Sequence, residues 1–233
     1  MREHWYDKGI LLVEGIDDFH TIKNLLIQQG LGDFAQKTIV NEFFILKSLS
    51  HEGGVDSLIR NRLPTAIKSG RSVGVVLDAD TDPMARWQSI RTALGNLEYG
   101  NRVVLPESPD PMGTITPGAL SETKLGIWIM PDNSAPGSIE SFLGMTLPDT
   151  EPVWKHAETA TRKAQELDAP ISENKFDKAR AHTWLAWQEE PGKPLGQAVT
   201  AKLFRENHEV CLRFRDWFVR LFDVPLNENP PPA

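Results

Sequence analysis

The sequence contains a single cysteine, Cys211, among its 233 residues. One cysteine permits no internal disulfide and no cysteine-based zinc site, which agrees with a reducing compartment. The cysteine and the scattered histidines also show no pairing of a nucleophile with a base. We therefore expect a cytoplasmic protein without thiol chemistry.

Long apolar segments are missing as well. The longest apolar runs fall well short of the ~18 residues that a membrane span needs. The first nine residues, MREHWYDKG, are too polar for a signal peptide. No Gly-Lys-Ser or Gly-Lys-Thr occurs, so there is no P-loop for ATP. We expect no membrane association, and any ATP hydrolysis in the same system must come from a partner.

The sequence has fewer basic than acidic residues. The chain has 25 Lys and Arg against 32 Asp and Glu, a net charge of −7 at pH 7. This balance counts against a protein that coats nucleic acid through a broad basic face. It does not exclude a nuclease, because acids loaded with divalent cations become locally positive.

Two apolar, β-branched segments each stop abruptly at acidic residues. GILLVEGIDD (9–18) reaches Glu14, and VVLDADTD (75–82) reaches Asp78 and Asp80. Such a pattern is typical of buried strands that deliver acids to the edge of a sheet. Since successive residues of a strand face opposite sides, Asp78 and Asp80 are predicted to point the same way. A divalent-metal site is the leading hypothesis.

The first 148 residues alternate between strand and helix patterns. Further strands are predicted at 43–46, 73–77, 102–105 and 126–130, and helices at 17–29, 55–68 and 83–94. The segment 106–123, rich in Pro, Gly, Ser and Thr, is predicted to be a loop. Alternating strands and helices predict an α/β fold with a mostly parallel sheet flanked by helices, and a site at the carboxyl ends of its strands.

The character of the sequence changes after Leu147-Pro148-Asp149. Helices are predicted at 152–166, 175–188, 195–205 and 209–222. We therefore divide the chain into an α/β domain (1–148), a helical C-terminal region (149–226) and a disordered tail (227–233, NENPPPA) that has nothing to bury.

Glu14-Gly15 and Asp78-Ala79-Asp80 together resemble the Toprim domain of topoisomerases, primases and overcoming-lysogenization-defect nucleases. That domain has a Glu-Gly turn after its first strand and an Asp-x-Asp after a later one. Asp18 matches an aspartate that the nuclease branch adds. The resemblance covers roughly residues 1–145 and implies a Toprim, Rossmann-like fold. IWIMPDNSAPGSIESFL and KARAHTWLAWQEEPG resemble a little-characterised family of stand-alone bacterial Toprim proteins across nearly the whole chain.

The resemblance also implies a metal site. Two Mg²⁺ or Mn²⁺ ions would be held by the acids Glu14, Asp18, Asp78, Asp80 and Glu140, with Glu14 as ligand or general base. Glu140 matches a late acid of the nucleases, with Asp132 as second choice. An ordinary alternative stays open for Asp17, Asp18 and Glu140, because first-turn acids are stabilised by the helix dipole.

Lys178 matches a late lysine that related nucleases place against the scissile phosphate. Its helical spacing predicts that Lys178 and His182 share an outward face, while Trp184 and Trp187 face the core with Trp217. The alternative is that Lys178 is simply one charge of a solvated face.

Other metal motifs fit Asp78, Asp80 and Asp82 less well. An EF-hand loop would need glycine in place of Pro83 and glutamate in place of Ser89. The motif of haloacid-dehalogenase phosphatases has Thr or Val at the position of Asp82. A nucleotide-sugar glycosyltransferase also uses Asp-x-Asp. Neither of these two families explains Glu14-Gly15.

The resemblance implies a Mg²⁺- or Mn²⁺-dependent nuclease that hydrolyses phosphodiester bonds in DNA or RNA, with defence against foreign nucleic acid as its candidate role. A partner ATPase and a homo-oligomer are the further partners it leaves open. Two alternatives stand beside it: a phosphatase or nucleotidyl-transfer enzyme using the same acids, and a non-catalytic Toprim module that regulates a partner.

Overall fold

A computed structural model describes residues 9–31, 47–48, 58–68, 70–96 and 103–224. Its five strands form one sheet in the order β2-β1-β3-β5-β4. They are β1 (Gly9–Val13), β2 (Lys47–Ser48), β3 (Ser72–Asp78), β4 (Thr114–Pro117) and β5 (Lys124–Met130). All run parallel except β4, which pairs antiparallel with β5. The predicted α/β class, with a mostly parallel, Rossmann-like sheet, is confirmed.

Helices follow most of the strands. They are α1 (Ile16–Leu26), α2 (Leu63–Ile67), α3 (Pro83–Gly95), α4 (Ile139–Gly144), α5 (Pro152–Glu166), α6 (Phe176–Ala186), α7 (Leu195–Thr200) and α8 (Glu209–Phe222). A π-helical segment, Ile27–Leu31, extends α1, and another, Leu58–Arg62, precedes α2. A 3-10 turn, Glu173–Lys175, leads into α6.

Both faces of the sheet are buried, because residues of each strand alternate between two cores. Leu11 and Val13 pack with Trp128 under α1, α4 and the C-terminal helices. Ile10 and Leu12 pack on the opposite face under α2 and α3. Burial on both faces explains why the strands are almost continuously apolar.

Helix α8 lies unusually close to the sheet, over two adjacent glycines. Gly74 of β3 and Gly126 of β5 are paired in register. A Cβ added at Gly126 would lie 2.5 Å from Cδ2 of Leu221 and 3.0 Å from the Trp217 ring. Leu221 and Trp217 are fully buried. The missing side chains thus let α8 complete one face of the sheet.

The C-terminal helices also hold α1 in place. The side chain of Asn24 donates to the carbonyl of Gly196 (2.8 Å), and that of Gln28 donates to the carbonyl of Val199 (2.7 Å). The described part of the helical region, residues 149–224, shares one hydrophobic cluster with the sheet. The division at residue 148 stays a prediction, but the described helices beyond it pack into the same hydrophobic cluster as one face of the sheet.

Several predicted elements differ from the observed ones. Residues 103–105 form no strand. Val104 instead accepts a hydrogen bond from the Thr116 hydroxyl (3.0 Å), so this extended segment is tethered by a side chain. Strand β4 lies inside the predicted loop 106–123, and its Thr114 is buried at the edge of the sheet. Helix α7 ends at Thr200 rather than 205, since Lys202 has a positive φ of 57°.

Other predictions about local structure fall outside the described residues. These are the strand at 43–46 and the disordered tail at 227–233. Within the described ranges, no helix has the length and apolar character needed to cross a membrane.

We expect Gly126→Ala to lower the free energy of unfolding by about 1–3 kcal/mol, because the added methyl group collides with the buried Leu221 side chain. The matched control is Gly95→Ala at the end of α3, where no described atom lies within 4 Å of an added Cβ. That change should leave stability equal or slightly higher. Urea unfolding followed by circular dichroism measures both, and equal stabilities for the two variants would contradict the close approach of α8.

Candidate metal site at the carboxyl ends of β1 and β3

The order of the strands reverses direction between β1 and β3. From β1 the chain moves outward to β2 and then returns to β3 on the other side of β1. Helix α1 consequently packs on one face of the sheet and α3 on the other. In open α/β sheets, such a reversal leaves a ligand-sized crevice at the carboxyl ends of the two strands. Glu14 and Asp78 lie at these two ends.

Backbone N–H groups hold the carboxylates of both Glu14 and Asp78. The backbone N–H of Asp78 donates to Oε1 of Glu14 (2.8 Å). Asp78 in turn accepts from the backbone N–H of Ile139, the first residue of α4, through Oδ1 (3.1 Å). Three elements, β1, β3 and α4, therefore meet at these two carboxylates.

Asp18 joins the group from the first turn of α1. A Cβ added at Gly15 would lie 2.8 Å from Oδ2 of Asp18, so a side chain at this position would collide with the carboxylate. The glycine after Glu14 thus leaves room for Asp18 to fold back over the start of the helix. This is a physical reason for the Glu-Gly pair.

Glu140 reaches the same edge from α4. Only 5% of it is exposed, which is unusual for a first-turn glutamate on a solvated helix. The Ser138 hydroxyl donates to its Oε2 (2.7 Å). The negative charge of Glu140 acts on both Asp18 and Asp78, so it belongs to the same cluster of acids.

Asp80 does not continue the strand, and the argument from strand alternation is wrong here. Strand β3 ends at Asp78, and Asp80 has a left-handed backbone with φ of 53°. Its N–H and carbonyl both bond to Gly137 (3.0 and 2.8 Å), which turns the chain away from the sheet. The Asp80 side chain is 46% exposed and pairs with Arg86 of α3 (2.5 Å).

Glu14, Asp18 and Asp78 have raised pKa values. Burial is the largest cause for Glu14 and raises its pKa to about 7, although the hydrogen bond from Asp78 and the charge of Arg86 act in the opposite direction. Burial, followed by the charge of Glu140, raises the pKa of Asp18 to about 6. The pKa of Asp78 lies well above its usual value because of burial and then the charges of Glu14 and Asp18.

The acids are close enough to repel one another, but they are not arranged as a formed metal cage. Across the described ranges, no three His, Cys, Asp or Glu side chains make up a group that could hold a metal ion. The hydrogen bonds supply a reason. Asp78, Asp80 and Glu140 each accept from a different donor, and Glu14 accepts from the Asp78 backbone. A cation shared by these acids would require their side chains to turn.

Helix α6 brings Lys178 to the border of the cluster. Its Nζ lies 3.5 Å from Oδ2 of Asp17, the neighbour of Asp18. Lys178 and His182 are both exposed and Trp184 is buried, as predicted. Trp187 is not in the core. It caps α6, is 46% exposed and stacks on His156 at a ring separation of 5.2 Å.

Two further acids have structural roles. Asp82 caps α3 by accepting from the backbone N–H groups of Met84 and Ala85 (2.9 and 3.0 Å). Asp132 accepts three hydrogen bonds from Ser134 and Ala135. Although burial works to raise the pKa of Asp132, these bonds outweigh it and lower the pKa. Asp132 is thus occupied by its own loop, and Glu140 is the late acid of the cluster.

The sequence reasoning missed a set of partners that hold the acids. Arg86 was missed because its link to Asp80 crosses a turn and follows no motif.

Asp177 was missed because its partner Ser141 is remote in the sequence. Asp177 accepts a hydrogen bond from the Ser141 hydroxyl (2.5 Å) and pairs with Arg180 (2.8 Å). Ser141 accepts from the backbone N–H of Ser138 (3.0 Å), which ties α6 to the turn that carries Glu140. The Ser-x-x-Ser spacing at the start of α4 is a capping-box pattern that could have been noticed.

Comparison with family models finds one match, described as "Protein of unknown function (DUF3226)", over residues 8–223. The chain belongs to the DUF3226 family. The match covers both the sheet and the C-terminal helices, so the family unit includes α6 with Lys178. Neither the curated proteins nor the solved structures give a significant match. The family description names no activity.

We expect the metal-free protein to lose stability as the pH rises from about 4 to about 7. The pKa values of Glu14, Asp18 and Asp78 are raised on folding. The folded state therefore binds more protons than the unfolded state in this range, and the stability that this gives is lost as the acids ionise. Asp78→Asn, which keeps the oxygen that faces Ile139, should raise the Tm at pH 7.5 in EDTA by about 3 °C or more. The gain should shrink towards pH 4.

The control for this experiment is Asp132→Asn, whose carboxylate has a lowered pKa. Removing that charge should lower the Tm at pH 7.5, the opposite sign from Asp78→Asn. Differential scanning fluorimetry across pH 4–8 measures both variants against the wild type. A Tm of Asp78→Asn that is unchanged or lower at pH 7.5 would show that the acids do not repel one another.

Proposed function

We propose that the chain is a divalent-metal-dependent nuclease that hydrolyses phosphodiester bonds in DNA or RNA. The observation that carries the proposal is the convergence of Glu14, Asp18, Asp78 and Glu140 at one edge of the sheet, with raised pKa values for the first three. The matches of Glu14-Gly15 and Asp78-Ala79-Asp80 to the Toprim pattern support it. Defence against foreign nucleic acid is the proposed role, with a partner ATPase as a candidate associate.

The donor chemistry of the cluster fits Mg²⁺ or Mn²⁺. All of its side-chain donors are carboxylate oxygens, which hard cations prefer. Several buried carboxylates cannot all be ionised at neutral pH without a compensating charge, and a bound cation supplies that charge. Glu14, Asp18, Asp78, Asp80 and Glu140 are the residues that would hold the ions, two in number by the Toprim resemblance. A bound ion would polarise the phosphate and lower the pKa of a water molecule.

Glu14 is the proposed ligand or general base. It follows directly after β1, the strand next to β3, and in the metal-free protein its pKa is about 7. A pKa near the working pH suits a group that takes a proton from a water molecule and releases it again. The hydrogen bond from Asp78 N–H keeps the Glu14 carboxylate oriented.

Lys178 is the proposed contact to the phosphate. Its ammonium group lies beside the first turn of α1, where it forms a long ion pair of 3.5 Å with the half-exposed Asp17. Such an exposed pair contributes little, roughly 1 kcal/mol or less, so the lysine can exchange it for a phosphate oxygen. Its positive charge would then oppose the charge that builds up in the transition state.

The proposal is tested by incubating the purified protein with plasmid, linear and single-stranded DNA and with RNA, in Mg²⁺, Mn²⁺ or EDTA. Cleavage should need the metal, and Glu14→Gln, Asp78→Asn and Asp80→Asn should each reduce it by about 100-fold or more. Asp132→Asn is the control and should retain activity. If Glu14 acts mainly as a base, Mn²⁺ binding by calorimetry should survive in Glu14→Gln.

Other outcomes of this assay would point elsewhere. Hydrolysis of p-nitrophenyl phosphate or nucleotides, without cleavage of polymers, would favour a phosphatase or nucleotidyl-transfer enzyme. Metal binding without turnover of any phosphoester would favour a non-catalytic module. Cleavage that persists equally in Asp78→Asn and Glu14→Gln would place the active site away from this edge of the sheet.

Lys178→Ala should lower the turnover rate by about 100-fold or more, the range for loss of one electrostatic contact in a transition state, with Mn²⁺ binding unchanged. The matched control is Lys175→Ala, three residues earlier in the 3-10 turn that precedes α6. It removes the same charge and should have a much smaller effect. Single-turnover kinetics at two salt concentrations measure both variants. Equal, mild losses of rate that fade with added salt would mean that Lys178 only attracts the nucleic-acid backbone non-specifically.

A further inference from the structure

Arg86 directly contacts the acidic end of β3. It lies in the first turns of α3, and its side chain returns towards the strand. Nε donates to the backbone carbonyl of Asp78 (2.8 Å), and Nη2 donates to Oδ2 of Asp80 (2.5 Å). The Arg86 side chain is only 15% exposed. Two charge-assisted contacts in a fixed fork hold the guanidinium far more firmly than one exposed ion pair would.

The two contacts make Arg86 a competitor of any cation that binds Asp80. The hydrogen bond from Nη2 takes up part of the acceptor capacity of the Asp80 carboxylate, which leaves less of it for a metal ion. A bound ion would also lie within a few ångströms of the guanidinium, and two positive charges at that distance repel each other strongly in a partly buried site. In the metal-free protein the same charge is favourable, because it offsets the repulsion among the acids.

We infer that Arg86 is a positioning residue that serves as the built-in counter-ion of Asp80: it holds the acidic end of β3 in place before a cation binds, and it weakens the binding of that cation. The inference rests on the proposed function to the extent that a cation is assigned to these acids. It sets Arg86 apart from an ordinary structural arginine, since the loss of a purely structural contact would disorder Asp80 and weaken metal binding.

The test compares Arg86→Gln with Arg91→Gln, using Mn²⁺ alone as the probe. Arg91 lies on the same helix and its side chain contacts Gln88, so the control changes the net charge equally without touching the acids. Calorimetry at low salt should show Mn²⁺ affinity raised roughly tenfold or more in Arg86→Gln, and changed less than about twofold in Arg91→Gln. The Tm in EDTA at pH 7.5 should fall in Arg86→Gln, because the acids lose their counter-ion.

Arg86→Lys provides a second variant in case Arg86→Gln fails to fold. Lysine keeps the charge but lacks the fixed fork that reaches the Asp78 carbonyl and Asp80 with two nitrogens, so Mn²⁺ affinity should lie between those of the wild type and the glutamine variant. Affinity that is unchanged or weaker in a folded variant overturns the inference. A wild type that binds no Mn²⁺ overturns both the metal site and the inference. A wild type that binds Mn²⁺ and cleaves nothing overturns the nuclease alone.

Discussion

The repulsion among carboxylates buried at one edge of the sheet is the constraint on which the site depends. Glu14, Asp18 and Asp78 are held in surroundings where ionisation is costly, and Glu140 adds a further negative charge. A fold gains nothing in stability from such an arrangement, since each ionised acid lowers the free energy of unfolding. Clusters of acids with raised pKa values are typical of functional sites, where a cation or a proton-transfer step uses them.

The sheet alone does not assemble this cluster. The carboxyl ends of β1 and β3 supply Glu14 and Asp78, but Glu140 comes from α4. The turn before α4 is in turn fixed to α6 through Ser141 and Asp177. Helices beyond residue 148 thus support an acid that lies before it. The match of a single family model across residues 8–223 agrees with this dependence.

The packing of α8 on the sheet depends on two glycines in neighbouring strands. Gly74 and Gly126 lie side by side in register, and their missing side chains admit Leu221 and Trp217 of α8. Because α8 can approach so closely, one face of the sheet is sealed by a helix that is last in the described chain. Burial of the strands on this face then leaves their carboxyl ends as the polar edge of the structure.

The sequence by itself determined the α/β class, the strands β1, β3 and β5, the bounds of α5 and α8, and the acids at the strand ends. These features depend on local apolar pattern and on abrupt changes of polarity, which are visible over five to fifteen residues. Short edge strands carry too few apolar residues for the alternating apolar pattern to be detected. The sequence therefore predicts a loop where the structure has β4.

Only the tertiary structure decided where each carboxylate lies and which groups it bonds to. Asp78 and Asp80 form one motif in the sequence, but the left-handed backbone at Asp80 lets its carboxylate pair with Arg86. The charge of Asp80 still acts on Glu14 and Asp78. The sequence offers Glu140 as the late acid, with Asp132 as second choice, and in the structure Asp132 is held by the hydrogen bonds of its own loop. The reason is physical: charge, burial and hydrogen-bond partners are set by residues far apart in the chain, and local pattern carries no information about them.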